Sequence, residues 1–159
     1  MILVLLGTQN NSFNRLLEKL EKCIKNRIIN DEVIVQAGYT KFNSDYMKTF
    51  DFISTTDLYD LQRKADIIIT HGGVGSIVSS LKMNKKIIAV PRLHEYGEHV
   101  NNHQIDIVEM FGKKCYIIAC KEVDKLEDAL KKVKNFVPEK YESGTSNIIN
   151  IIESYINKN

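Results

Sequence analysis

Three short stretches carry most of the side chains able to do chemistry. The richest is Thr70-His71-Gly72-Gly73-Val74-Gly75-Ser76. Its glycines let the backbone approach an anion closely, and a helix starting near Gly75 and Ser76 would add unpaired N–H groups and the positive end of its dipole. The expected ligand is an anion, above all a diphosphate. A second stretch runs from Pro91 to Gln104 and is dense in hydrogen-bonding groups; amides and carboxylates such as Glu98, Asn102 and Gln104 suit the vicinal hydroxyls of a sugar. Within it His99 and His103 stand four residues apart, the spacing of two metal ligands on one helix face. An HExxH site would need glutamate where Val100 stands, so no metal is expected, and a metal-dependent enzyme using His94, His99 and His103 is the lesser reading. The third stretch, Gly7-Thr8-Gln9-Asn10-Asn11-Ser12, offers N–H and hydroxyl groups to a phosphate or sugar. It lacks GxGxxG spacing, and GxxxxGK[ST] is absent from the chain. Dinucleotide binding and P-loop ATPase chemistry are therefore disfavoured, and no cofactor is expected.

Each stretch follows an apolar, β-branched run, as a loop at the end of a buried strand should. Strand patterns fall at Ile2 to Leu6, Glu32 to Gln36, Asp51 to Ser54, Asp66 to Thr70, Lys86 to Val90 and Cys115 to Ala119. Helical patterns alternate with them at Phe13 to Ile28, Asp57 to Ala65, Ser76 to Met83, His99 to Phe111, Val123 to Phe136 and Ser146 to Asn157. Strands alternating with helices predict right-handed crossovers and an α/β fold with a doubly wound, Rossmann-like parallel sheet. Ligands of such sheets bind outside the carboxyl ends of the strands, where the three polar loops would lie.

The chain has 159 residues, 43% of them hydrophobic, which predicts one domain over residues 1–159 with no linker or repeat. Lysine and arginine number 22 against 20 acidic residues, a net charge of +2 without a basic stripe, so no nucleic-acid partner is expected. Cys23, Cys115 and Cys120 lie in apolar patterns without metal-ligand spacing and read as reduced core residues of a cytosolic protein. Met1 to Leu6 has no basic segment before it and reads as a strand rather than a signal peptide. No apolar run approaches the roughly 20 residues that span a bilayer, so any membrane contact is expected to be peripheral.

The pairing of Thr70 to Ser76 with Val90-Pro91-Arg92 and Glu98-His99-Val100-Asn101-Asn102-His103-Gln104 resembles the C-terminal, donor-binding half of family 28 glycosyltransferases. The likeness covers nearly the whole chain. It looks like the small stand-alone subunits that pair with a separate membrane-associated subunit, in bacterial capsule and exopolysaccharide synthesis and in the cytosolic half of the dolichol-linked UDP-GlcNAc transferase. The resemblance implies the C-terminal half of a GT-B type enzyme that moves a hexose from a UDP-sugar to a polyprenyl-diphosphate-linked saccharide, with inversion. It places the chain in the cytoplasm, at the inner face of the membrane through its partner.

By the same resemblance His71, Gly73, Gly75 and Ser76 contact the donor diphosphate, and Gly7, Thr8 and Gly72 complete that candidate set. Ser79, Arg92, Glu98, His103 and Gln104 form the candidate sugar and nucleotide set. Relatives carry a glutamate for the ribose where Ser79 stands here, and an acidic residue where His103 stands. His71, suitably protonated, would stabilise departing UDP; no residue identifies the general base. A non-catalytic, nucleotide-sugar-binding regulatory subunit is the alternative function. In the last helical pattern, residues 146–157, Ile148, Ile149, Ile152, Tyr155 and Ile156 make an apolar stripe that either docks on the partner or closes the domain's own core.

Overall fold

A computed structural model describes residues 1–142, so the expected helix at 146–157 lies outside the described residues. Six parallel strands form one sheet in the order β3-β2-β1-β4-β5-β6. They are β1 (Ile2–Leu5), β2 (Val33–Gln36), β3 (Lys48–Phe50), β4 (Ile67–Thr70), β5 (Lys86–Ala89) and β6 (Ile118–Ala119). The order reverses between β1 and β4, which pair in register from Ile2 opposite Ile67 to Leu5 opposite Thr70. This doubly wound arrangement is the one that the alternating pattern predicts, and its switch point lies between the loops that follow Leu5 and Thr70.

Side chains of β1 alternate between two cores, as a period of two requires. Ile2, Val4 and Leu6 face helices α1 (Asn14–Lys25) and α5 (Leu126–Asn135), which contribute Leu16, Leu17, Leu20 and Cys23, and Leu126, Ala129, Leu130 and Val133. Leu3 and Leu5 face the opposite side, where Leu58 and Leu61 of α2 (Thr55–Lys64) pack. On that same side α3 (Val74–Lys82) and α4 (His103–Lys113) bury Ile77, Leu81, Val108 and Phe111 against Ile87 and Ala89 of β5. With helices on both faces, the loops at the carboxyl ends of the strands are where such a sheet holds a ligand.

Three expectations need correction. The third strand is Lys48–Phe50, ahead of the predicted Asp51 to Ser54. It is an edge strand whose Lys48 and Thr49 are exposed, so no apolar pattern marks it. The fourth helix begins at His103 rather than His99, because Gly97 turns into the left-handed region at φ 67° and residues 98–102 form bends in which the Asn101 and His103 N–H groups go to the His99 and Asn101 side chains. Cys115 is exposed, with φ 55°, in the turn that ends α4, whereas Cys23 and Cys120 are buried as expected. Burial pushes the Cys120 thiol up to about 11.

Candidate functional site

The turn from Thr70 to α3 is built around one imidazole. His71 is buried, its own N–H donates to Leu5 O, and its Nδ1 lies 3.2 Å from the same carbonyl. A carbonyl only accepts, so Nδ1 carries the proton and Nε2 is left as an acceptor. Burial, helped by the nearby Arg92 charge, pushes the ring down to about 4, so it is neutral at pH 7. The ring occupies the space that side chains at two glycines would need. A Cβ at Gly7, where φ is +77°, would stand 2.5 Å from His71 Cε1, and one at Gly73 would stand 2.3 Å from Nε2. The two loops at the switch point are therefore glycine on either side of one histidine.

Helix α3 starts directly beyond this ring. Gly73 occupies the cap position and no side chain caps the helix, so the first-turn amides of Val74, Gly75 and Ser76 keep their donors and the dipole for an incoming anion. A Cβ at Gly75 would meet nothing within 4 Å, so the face over that turn is open. Thr8, across the switch point, is exposed. The end of β2 closes the floor: Gln36 Nε2–H donates to Gly7 O (3.1 Å) and Asp51 O (3.2 Å).

The segment 91–104 is laced to itself and to the first loop. Three consecutive amides are taken by its own side chains: Arg92 N–H by Gln104 Oε1 (3.0 Å), Leu93 N–H by Glu98 Oε2 (3.0 Å) and His94 N–H by Asn102 Oδ1 (2.9 Å). Arg92, only 1% exposed, lies with its guanidinium 5.0 Å from the Phe13 ring centroid. It donates to Leu6 O, Asn11 O and Glu98 O at 2.8, 2.7 and 3.2 Å. Its burial pulls its pKa down to about 10 against the opposing pull of Glu98, so it stays charged at pH 7. Glu98, 3% exposed, is paired with Arg15 of α1. Asn11 donates to Gly97 O, and Gln9 lies 3.0 Å from His99 Nε2.

The predicted residues are thus not all brought to one place. Gly7, Thr8, His71, Gly72, Gly73, Gly75 and Ser76 converge on the switch point. His103 and Gln104 open α4 beside it, where Gly72 packs so closely that a Cβ would stand 2.7 Å from Gln104 Cβ. Arg92 and Glu98 have their charged groups spent inside the fold and act as supports. Ser79 turns toward α2: its hydroxyl donates to Ser76 O and accepts from Gln62. Sequence reasoning missed Arg15, Gln36 and Gln62, whose partners are too distant along the chain to be read. It also missed Tyr39 and Phe52, exposed and packed edge to face at 5.2 Å beyond the ends of β2 and β3. Among the described residues no group of three or more His, Cys, Asp or Glu is placed to hold a metal ion.

A parallel sheet with an open helix start at its switch point and a polar loop alongside defines a Rossmann-like α/β domain of the kind found in GT-B glycosyltransferases. The chain matches the glycosyltransferase family 28 C-terminal domain over residues 1–157 and belongs to that family. The UDP-N-acetylglucosamine transferase subunit ALG13 of Candida glabrata is 33% identical over 120 residues, 75% of this chain and 58% of that protein. Its Saccharomyces cerevisiae counterpart is 31% identical over 75 residues, 46% of this chain and 35% of that protein. The chain thus spans less than two thirds of the length of these curated relatives. Among solved structures, an ALG13 solution structure aligns with TM-score 0.61 at 20% identity, covering 94% of this chain and 93% of its own. MurG of Acinetobacter baumannii aligns with TM-score 0.57 at 17% identity, over 83% of this chain and 41% of its own. At these identities the structures speak to the fold alone. Among the described residues no helix is long and apolar enough to cross a membrane.

Proposed function

We propose that this chain is the donor-binding half of an inverting glycosyltransferase. It would hold a UDP-sugar and work with a second, membrane-associated subunit that presents a polyprenyl-diphosphate-linked saccharide, on the cytoplasmic side of the membrane. The product under this reading is a lipid-linked intermediate of a cell-surface polysaccharide. The observation that carries the reading is the uncapped start of α3, open over Gly75 and set at the switch point of the sheet. There the diphosphate meets the amides of Val74, Gly75 and Ser76, with Gly7 and Thr8 opposite. Tyr39 and Phe52 offer the nucleobase an aromatic face, and His103 and Gln104, at the start of α4, are the groups nearest the sugar. Ser79, engaged with Ser76 O and Gln62, is not assigned to the ribose. ALG13, named as a subunit of a UDP-N-acetylglucosamine transferase, supports both the donor class and the need for a partner.

The chemistry follows from this placement. As the acceptor hydroxyl attacks the anomeric carbon, the bond to the β-phosphate breaks and negative charge grows on departing UDP. Fixed amide donors and the helix dipole are oriented for that charge before it forms. With Nδ1–H given to Leu5 O, the neutral ring of His71 has no proton to offer a phosphate from Nε2. Its part is to shape the turn between Gly7 and Gly73, and leaving-group stabilisation passes to the backbone. The general base lies with the acceptor on the partner.

The test is co-expression of this chain with the product of a neighbouring gene, followed by assay of a panel of UDP-sugars on a polyprenyl-diphosphate-linked acceptor. Transfer only in the presence of both subunits is the expected result. UDP binding without transfer from any donor would replace the enzyme reading with the regulatory one.

A further inference from the structure

From α1, Arg15 reaches the loop after β5. Its Nε–H donates to Glu98 Oε1 at 2.9 Å and its Nη2–H to Oε2 at 2.8 Å, the two-bonded fork that a lysine does not reproduce. The guanidinium carbon stands 4.6 Å from the Tyr96 ring centroid and 5.6 Å from that of Phe13, so the fork is flanked by an aromatic of each element. The same carboxylate accepts the Leu93 N–H. Glu98 is thereby pinned from both sides, and with it the stretch whose far end carries Asn102, His103 and Gln104. Gln104 gives its amide oxygen to Arg92 N–H, which ties the start of α4 to the beginning of the same segment.

The α3 start is held by other contacts, whereas the first loop is tied to the segment 91–104 through Gln9 and Asn11. His71 rests on Leu5 O, and Ser76 O accepts from the Ser79 and Ser80 hydroxyls. None of these passes through Arg15. Loss of Arg15 should therefore loosen the loop beside the helix start and leave the helix start itself in place.

We infer that Arg15 is a positioning residue for sugar recognition: its fork on Glu98 fixes the segment 91–104 against α1 and sets where His103 and Gln104 stand relative to the diphosphate. This inference rests on the donor-binding reading above. The test is titration calorimetry of the full chain with UDP and with UDP-N-acetylglucosamine, comparing wild type, Arg15→Met, Arg15→Lys and Glu98→Gln. The expected result is UDP affinity within about twofold of wild type in every variant. The ratio of UDP-sugar to UDP affinity falls by about fivefold or more in Arg15→Met and Glu98→Gln, with partial recovery in Arg15→Lys. Amide exchange across residues 93–102 of free Arg15→Met should rise by about tenfold with β1 and β4 unchanged. Should Arg15→Met fail to fold, Arg15→Lys and Glu98→Gln read the same ratio. An unchanged ratio, or both affinities falling in step, overturns the positioning role alone. A wild-type chain that binds neither probe overturns the donor-binding reading, and this role with it.

Discussion

Between Gly7 and Gly73, His71 occupies volume that no side chain at either glycine could share, which makes the three residues one unit. Adding a methyl at Gly73 forces the ring or the turn to move, a form of overpacking that costs about 1–3 kcal/mol. In a His71→Ala background most of that cost should vanish, because the obstructing atoms are gone. A double-mutant cycle by urea denaturation measures the coupling, and simple additivity would show that the ring and Gly73 do not compete for space. Protonation gives a second handle on the same ring. Its folded pKa of about 4 lies below the ordinary 6.5, so the unfolded chain takes up the proton first as pH falls. The stabilisation is fully present above about pH 6.5 and is lost as pH falls toward 4. By pH 4.5 the loss reaches roughly 2–3 kcal/mol. Asparagine keeps a donor near the position of Nδ1 and does not titrate. The stability gap between wild type and His71→Asn should therefore shrink by about that amount between pH 7 and pH 4.5, measured at both pH values in urea. A constant gap would mean that the ring is not buried in its neutral form.

The start of α3 separates what a helix needs from what a ligand needs. Gly75 lies in its first turn facing open space, where an aspartate would fit sterically, favour helix over glycine and complement the dipole. Gly75→Asp should therefore raise stability by about 1 kcal/mol while abolishing UDP binding, because its carboxylate occupies the positive end and repels phosphate. Denaturation and calorimetry on one preparation check both halves, and retained UDP affinity would move the diphosphate away from this turn. This element was legible in the sequence because a buried β-branched strand, a glycine turn and a helical period stand next to one another. Legibility fails where an element is defined by what it leaves exposed. Lys48-Thr49-Phe50 shows no alternation because it is an edge, and Cys115 sits among apolar neighbours yet turns outward at a positive φ. Glu98 marks a different limit. Its residue type suits a sugar hydroxyl, but its partner Arg15 lies 83 positions away, so nothing local reveals that the carboxylate is already spent.

At the scale of the molecule, the alternation of strands and helices was enough to fix the layers, and the order β3-β2-β1-β4-β5-β6 puts the two site-bearing strands β1 and β4 side by side at the centre. Val4 and Ile69 of those strands belong to the main core, and Leu3 and Ile68 to the core on the other face. A ligand that ties the loops after β1 and β4 together therefore acts on elements that open only when the domain unfolds. Binding to the native state alone adds about 2.7 kcal/mol at a ligand concentration of one hundred times Kd. For a chain of this size that corresponds to roughly 5–11 °C in Tm. UDP should produce a shift of this size and slow amide exchange throughout β1 and β4 rather than in the loops alone. UMP at the same concentration should do much less, because the reading assigns the larger part of the attraction to the β-phosphate at the start of α3. Equal shifts from UDP and UMP would leave the nucleotide site standing but remove the helix start as its anion end. The leaving-group argument would then lose its donor.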